Sequence, residues 1–288
     1  MSNKELLDSI KKLREMTGVG FNDCKAALDE TKGDLEKSIE FLRKKGIAKA
    51  SKKMNRTASE GLALLKEKEG KIALIEINSE TDFVAKNEDF IKFCKELSEL
   101  NFSTAGNLSK LNETTMANGI TVKDNLLSLI AKIGEKIIIR RANFFDNSKG
   151  ENFSYVHSAT EKGIGKIISV VKIEGILKGK NEGIGSKIAM HIAASNPLAI
   201  DKDEIDKSIV DKEVEIIKEE IKNSGKPDEM IEKISKGKIS KFLNDNSLLN
   251  QMWIMDPKKK VSEILKEHSI QKQLKILEFV RYKVGEGV

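Results

Sequence analysis

The sequence predicts an α+β protein with a three-helix N-terminal domain, a two-part α+β core with antiparallel strands, and an antiparallel helical hairpin inserted in the second part. Three observations carry this expectation. Apolar residues recur at helical spacing through residues 3–45, and the period drops to two at Glu60. The strand-then-helix pattern that follows then returns about 95 residues later, which suggests an internal repeat. The expected division is 1–54 for the helices and a basic linker, 55–145 for the first half of the core, and 146–205 with 247–288 for the second half. Residues 206–246 form the insertion.

Leu6, Ile10 and Leu13 mark the first apolar stripe, Phe21, Cys24 and Leu28 the second, and Leu35, Ile39 and Leu42 the third. Gly18, Gly20 and Gly33 punctuate the junctions. Gly46 follows the third stripe, where a left-handed helix cap is expected, and residues 47–57 read as a helical or extended linker. Alternation over Gly61–Lys66 and Lys71–Asn78, joined at Glu69-Gly70, predicts a β-hairpin.

Asn87 is placed to cap a helix whose core face is Phe90, Phe93, Leu97 and Leu100. A second helix should start at Thr121, carry Val122, Leu126, Ile130 and Ile133 inward, and stop at Gly134. Residues 136–145 read as a strand. Residues 154–158 and 166–173 predict another hairpin around Gly163 and Gly165, and Lys180-Asn181-Glu182 echoes Lys86-Asn87-Glu88 ahead of a helix ending near Pro197. Val210, Val214, Ile217 and Ile221 step like a coiled-coil seam, and Ser224-Gly225-Lys226-Pro227 should turn the chain into a return helix through Ile231 and Ile234. Met252–Met255, a short helix from Val261 and a strand from Leu277 to Val284 complete the core.

Composition narrows the function classes. Of 288 residues, 39% are apolar and 33% charged, and no run approaches the roughly 20 apolar residues of a membrane helix. The start lacks the layout of a signal peptide. Cys24 and Cys94, the only cysteines, both fall in apolar helical patterns and read as buried thiols of a reducing cytosol. A cytoplasmic protein without membrane attachment is expected.

The net charge is +6, and residues 1–57 hold 14 Lys/Arg against 9 Asp/Glu, with seven bases between Arg43 and Arg56. Such a tract can bind nucleic acid, but it lacks aromatic interleaving for base stacking. A solvated connector or an acidic protein partner fits it better.

No catalytic centre, metal site or cofactor site is expected. His157, His191 and His268 share no ligand spacing with each other or with cysteine. A phosphate-binding loop of the GxxxxGK(S/T) type is absent, and Gly163 and Gly165 read as a hairpin turn. The informative stretch is Glu80-Thr81-Asp82-Phe83-Val84-Ala85-Lys86-Asn87, which sets two apolar residues in a polar run between a strand and a helix. Pattern alone leaves two readings open. Phe83 can be a hydrophobic staple under the following helix, or an exposed aromatic that wedges into a partner.

Residues 78–87, Asn-Ser-Glu-Thr-Asp-Phe-Val-Ala-Lys-Asn, closely resemble the signature of the elongation factor Ts family. So do Leu13-Arg14-Glu15-Met16-Thr17-Gly18-Val19-Gly20 with Asp23-Cys24-Lys25-Ala26-Ala27-Leu28, and Ala131-Lys132-Ile133-Gly134-Glu135 with Ile139-Arg140-Arg141. Further matches are Ile188-Ala189-Met190-His191-Ile192-Ala193-Ala194 and Lys283-Val284-Gly285-Glu286-Gly287, all in family order.

The resemblance implies a ubiquitin-associated-like N-terminal domain and a guanine-nucleotide exchange factor. Its partner would be elongation factor Tu, in the GDP-bound and nucleotide-free states. It further implies that Thr81, Asp82, Phe83 and Val84 enter the GTPase domain and disturb its Mg²⁺ site, that Ile133 and Gly134 make a second core contact, and that Leu13, Met16, Val19 and Gly20 grip a GTPase helix. His191 matches a position near the partner interface, and reads equally as a histidine at the edge of a core helix. Some family members continue past the position of Val288 with a further helix that touches the partner. The alternative function is a basic RNA-associated or structural adaptor without exchange activity.

Overall fold

The computed structural model describes residues 3–17, 19–51, 53, 55–176, 179–222 and 228–288. Gly18 and the Ser224–Pro227 turn named from sequence lie outside these. The helices are α1 (Asn3–Thr17), α2 (Phe21–Glu30), α3 (Leu35–Ser51), α4 (Asp82–Ala85), α5 (Glu88–Ser103), α6 (Leu108–Glu113), α7 (Val122–Ile133), α8 (Glu182–Ser195), α9 (Lys207–Lys222), α10 (Asp228–Asn246) and α11 (Val261–Glu267). The strands are β1 (Glu60–Lys68), β2 (Lys71–Ser79), β3 (Ile137–Phe145), β4 (Glu151–His157), β5 (Ile164–Gly165), β6 (Ile167–Glu174), β7 (Met252–Trp253), β8 (Asp256–Lys260) and β9 (Lys275–Lys283). The chain forms two units, one of residues 1–144, 158–166 and 282–288, the other of residues 145–157 and 167–281.

In the first unit, α1–α3 enclose a small core of Ile10, Leu13, Cys24, Ala27, Leu28 and Leu42. The helix α3 runs past its expected end. Gly46 lies inside it rather than at a left-handed cap, because α3 packs on α7 and a β-carbon at Gly46 would stand 3.4 Å from Ala131 Cβ. An ion pair of 2.8 Å between Arg43 and Asp124 flanks this packing.

The β1–β2 hairpin pairs Lys68 with Lys71, and Glu69 and Gly70 both take positive φ, as a two-residue turn with the twist of its strands requires. The sheet order is β3-β2-β1-β5. Its apolar face meets Phe90, Phe93 and Leu97 of α5 and Val122 and Ile130 of α7. Asn87 and Thr121 cap α5 and α7 as expected, by accepting the amides of Phe90 and Asp124. The buried Glu76 carboxylate accepts from Arg140 (3.0 Å), Arg141 (2.5 Å) and the amide of Gly285 (3.0 Å), which ties the chain's last turn to the sheet.

The second unit repeats the connectivity. Its sheet order is β4-β6-β9, so in both units the third strand lies beside the second strand of the hairpin. The expected tight turn between β4 and β6 is instead an excursion, whose β5 pairs with β1 of the first unit's sheet. The core of the second unit gathers Ile184, Ile188 and Ile192 of α8 with Val171, Trp253, Val261 and Ile276. The echo at Asn181 is partial: its side chain does not cap α8 and donates to the carbonyl of His268. Helices α9 and α10 pack on each other, with Ile217 and Ile221 buried. A 2.8 Å ion pair joins Glu220, near the end of α9, to Lys238 of α10.

Candidate functional site

The strand β2 ends at Ser79, whose hydroxyl donates to the carbonyl of Thr81 (3.0 Å) and bends the chain away from the sheet. Thr81 is extended (φ −124°, ψ 159°) and precedes the single turn α4. Adjacent residues of so short a helix face opposite ways. Val84 and Ala85 sink into the core beside Phe90, while the Phe83 ring stands 78% exposed. Phe83 is therefore no staple, and its ring is the most exposed large apolar side chain among the described residues. Lys86 pairs with Asp82 at 2.7 Å across the exposed side of the turn, and the hydrogen bond from Lys86 holds the Asp82 carboxyl below its usual range.

Beside it stands the end of α7. Gly134 closes that helix in the left-handed region (φ 87°), its amide reaching the carbonyl of Ile130 at 2.9 Å. The side chain of Lys53 donates to the Gly134 carbonyl. Ile133 is half-buried against the core and Gly134 is exposed. Two carboxylates join the turns. Glu135 accepts the amide (3.0 Å) and the hydroxyl (2.9 Å) of Thr81. Glu80 accepts the amide of Lys136 (2.6 Å) and the guanidinium of Arg56 (3.2 Å). Burial opposes the charge of Glu80, but the Lys136 amide and Arg56 outweigh it, and its carboxyl is held below the usual range.

On the three-helix part, Leu13 is fully buried, Met16 is 57% exposed, Val19 is half-buried and Gly20 is exposed. Gly20 begins α2 in extended conformation. A shallow notch of about 360 Å³, lined by Lys11, Arg14, Glu15, Val19 and Lys132, opens between α1 and α7.

In the second unit, His191 is fully buried on α8 and stacks on Trp253, with ring centroids 5.2 Å apart. Its Nδ1 accepts the amide of Ile254 (3.3 Å), so Nε2 carries the proton and donates to Gln251 (3.0 Å). Burial pushes the imidazole below its ordinary pKa, with the Gln251 bond opposing. The segment it holds carries Met252, Ile254 and Met255, all exposed.

The structure thus brings Thr81, Asp82 and Phe83 beside Ile133 and Gly134, and leaves Met16, Val19 and Gly20 at the surface of the three-helix part. Leu13, Val84 and His191, expected at the partner contact from the resemblance, are buried in their own cores in the free chain. Of Met252–Met255, expected to re-enter the core, Trp253 does so, while Met252 on β7 and Ile254 and Met255 between β7 and β8 are exposed. Glu135 entered only as a motif residue. Its partner is 54 residues away in sequence, beyond the reach of any local pattern.

Residues 80–286 match the family model described as elongation factor TS. The chain is 43% identical over 285 residues to elongation factor Ts of Methylorubrum extorquens (strain PA1), covering 97% of this chain and 92% of that protein. It is 40% identical over 284 residues to elongation factor Ts of Rickettsia felis, and 41% over 283 residues to that of Rickettsia prowazekii (strain Madrid E). These alignments cover 97% of this chain and 92% and 91% of the two relatives. A match of this extent defines a translation elongation factor. The chain belongs to the elongation factor Ts family.

Proposed function

We propose that the chain binds elongation factor Tu in its GDP form, disturbs the Mg²⁺ and phosphate site with the Thr81–Phe83 turn, and releases GDP so that GTP can bind. The observation that carries this reading is Phe83, whose ring is 78% exposed on a turn anchored beneath by buried Val84. An exchange factor breaks no bond of its own. It binds the nucleotide-free GTPase better than the loaded one, so factor and nucleotide weaken each other by the same coupling free energy. GDP is held largely through its phosphates and the bridging cation, and displacing a loop that supports the cation removes several contacts together.

The remaining surface serves as the grip. Met16, Val19 and Gly20 dock the three-helix part on a GTPase helix, and Ile133 and Gly134 abut the GTPase beside the wedge. Met252, Ile254 and Met255, backed by His191, supply an apolar patch on the second unit. The protein acts in the cytoplasm, and needs no small-molecule substrate, cofactor or membrane.

Stopped-flow release of labelled GDP from elongation factor Tu tests this. Release should accelerate with factor concentration and saturate. An unaffected release rate, with tight and steeply salt-dependent RNA binding, would establish the adaptor reading instead.

A further inference from the structure

We propose that Glu135 is a positioning residue for exchange. With Glu80, it locks the turn carrying Phe83 to the turn carrying Ile133 and Gly134, so that the wedge and its flanking contact enter the partner as one rigid body. The inference rests on the exchange reading of Phe83 and adds the device that aims the ring.

The geometry is reciprocal. From the α7 side, Glu135 takes both the amide and the hydroxyl of Thr81, at 3.0 and 2.9 Å. From the β2 side, Glu80 takes the amide of Lys136 at 2.6 Å. Each turn thus lends a carboxylate to a backbone amide of the other, and charge-assisted bonds of this kind are among the stronger ones in proteins. Thr81 precedes α4, where a threonine ordinarily uses its hydroxyl to cap its own helix. Here the side chain makes no cap bond and turns to Glu135. Local helix capping has been given up for a bond to a distant turn, and that bond fixes the residue two before Phe83. Further ties brace the base: Arg56 pairs with Glu80 at 3.2 Å, Lys136 reaches the Arg56 carbonyl at 2.8 Å, and Lys53 reaches that of Gly134.

The test combines two measurements on the full chain. Amide hydrogen exchange by NMR on the free protein reads the lock directly. The Thr81 amide should be protected in wild type, exchange faster in Glu135→Ala, and stay protected in Glu135→Gln, whose amide oxygen still accepts. Stopped-flow GDP release from elongation factor Tu reads the consequence. Glu135→Ala should lower the saturated rate about tenfold, the scale of losing a charge-assisted bond. The half-saturating concentration should stay within about twofold, because distant grips are untouched. Glu135→Gln should restore most of the rate, and Thr81→Val, which keeps the amide bond, should fall between.

In a Phe83→Ala background, Glu135→Ala should cost less than about twofold more, since residues acting as one device are not additive. Equal losses in both backgrounds, or a Thr81 amide indifferent to Glu135→Ala, overturn the positioning role while leaving exchange intact. A wild-type chain that does not accelerate GDP release overturns the exchange reading and this role with it. Glu135→Gln and Thr81→Val change little volume, so they keep the test decisive should Glu135→Ala fail to fold.

Discussion

Replacing Phe83 by alanine separates what the ring does for this chain from what it does to a partner. Fully burying a phenylalanine stabilises by ~1.5–3 kcal/mol. The ring is 78% exposed, so roughly a fifth of that, ~0.3–0.7 kcal/mol, is realised in the free protein. Alanine's better helix propensity returns up to ~0.5 kcal/mol of it in α4. The melting temperature should therefore move by no more than about 2–4 °C, the response to ~1 kcal/mol in a domain of this size. The remaining four-fifths, ~1.2–2.4 kcal/mol, is available only in the complex. At 1.36 kcal/mol per tenfold, GDP release should slow roughly 8- to 60-fold. Thermal melts and stopped-flow release on one sample decide the matter. A large fall in melting temperature with normal release by the folded fraction would refute the wedge.

Three further outcomes are expected. Burial lowers the pKa of His191 in the folded state, so the unfolded chain binds the extra proton first. Stability should then fall as pH drops from about 7 through the ordinary histidine range and level off below the folded pKa. Thermal melts from pH 7.5 to 5 should show this slope reduced in His191→Gln, and equal slopes would discount it. Deleting residues 1–54 strips Met16 and Val19 and bares the α7 face that packs on Gly46. Calorimetry should find much weaker association with elongation factor Tu by a somewhat less stable core, and unchanged affinity would dismiss the grip. Replacing residues 207–245 with a short linker spares the bond from Leu198 to the Asn246 carbonyl, and should keep most exchange activity and a cooperative melt. Loss of the fold would mean that Ile217 and Ile221 serve the core.

Local chemistry was legible wherever a residue's partner lay within a turn of it. The caps at Asn87 and Thr121, the Glu69-Gly70 turn and the stop at Gly134 all follow from short-range rules, and the structure has each of them. Even so, the short helix α6 went unread despite its Asn107 cap, because six residues give too little periodicity. Gly46 was misread because a glycine after an apolar stripe is what a helix end looks like. Only the close approach of α7 makes it a packing residue. At Phe83 and Val84 the signal was ambiguous, since neighbours on a one-turn helix share a sequence context but face opposite media. At Leu13 two signals overlap, since the apolar stripe places it in the core and the motif places it near the partner, and in the free chain it is buried.

A wedge of one aromatic ring works only if the chain beneath it is already ordered. Fixing the backbone of one residue costs about 1–2 kcal/mol. Were Thr81, Asp82 and Phe83 free in the unbound chain, ordering three residues on docking would cost ~3–6 kcal/mol. That exceeds the ~1.2–2.4 kcal/mol left for the ring to gain, and the proposed insertion would be unfavourable. The bonds from Thr81 to Glu135 and from Lys136 to Glu80, with Val84 seated in the core, remove most of that cost before the partner arrives. The energetic difference between a working wedge and an inert loop therefore lies less in the exposed ring than in the buried and half-buried groups around it, which is why Phe83 and Glu135 should fail together.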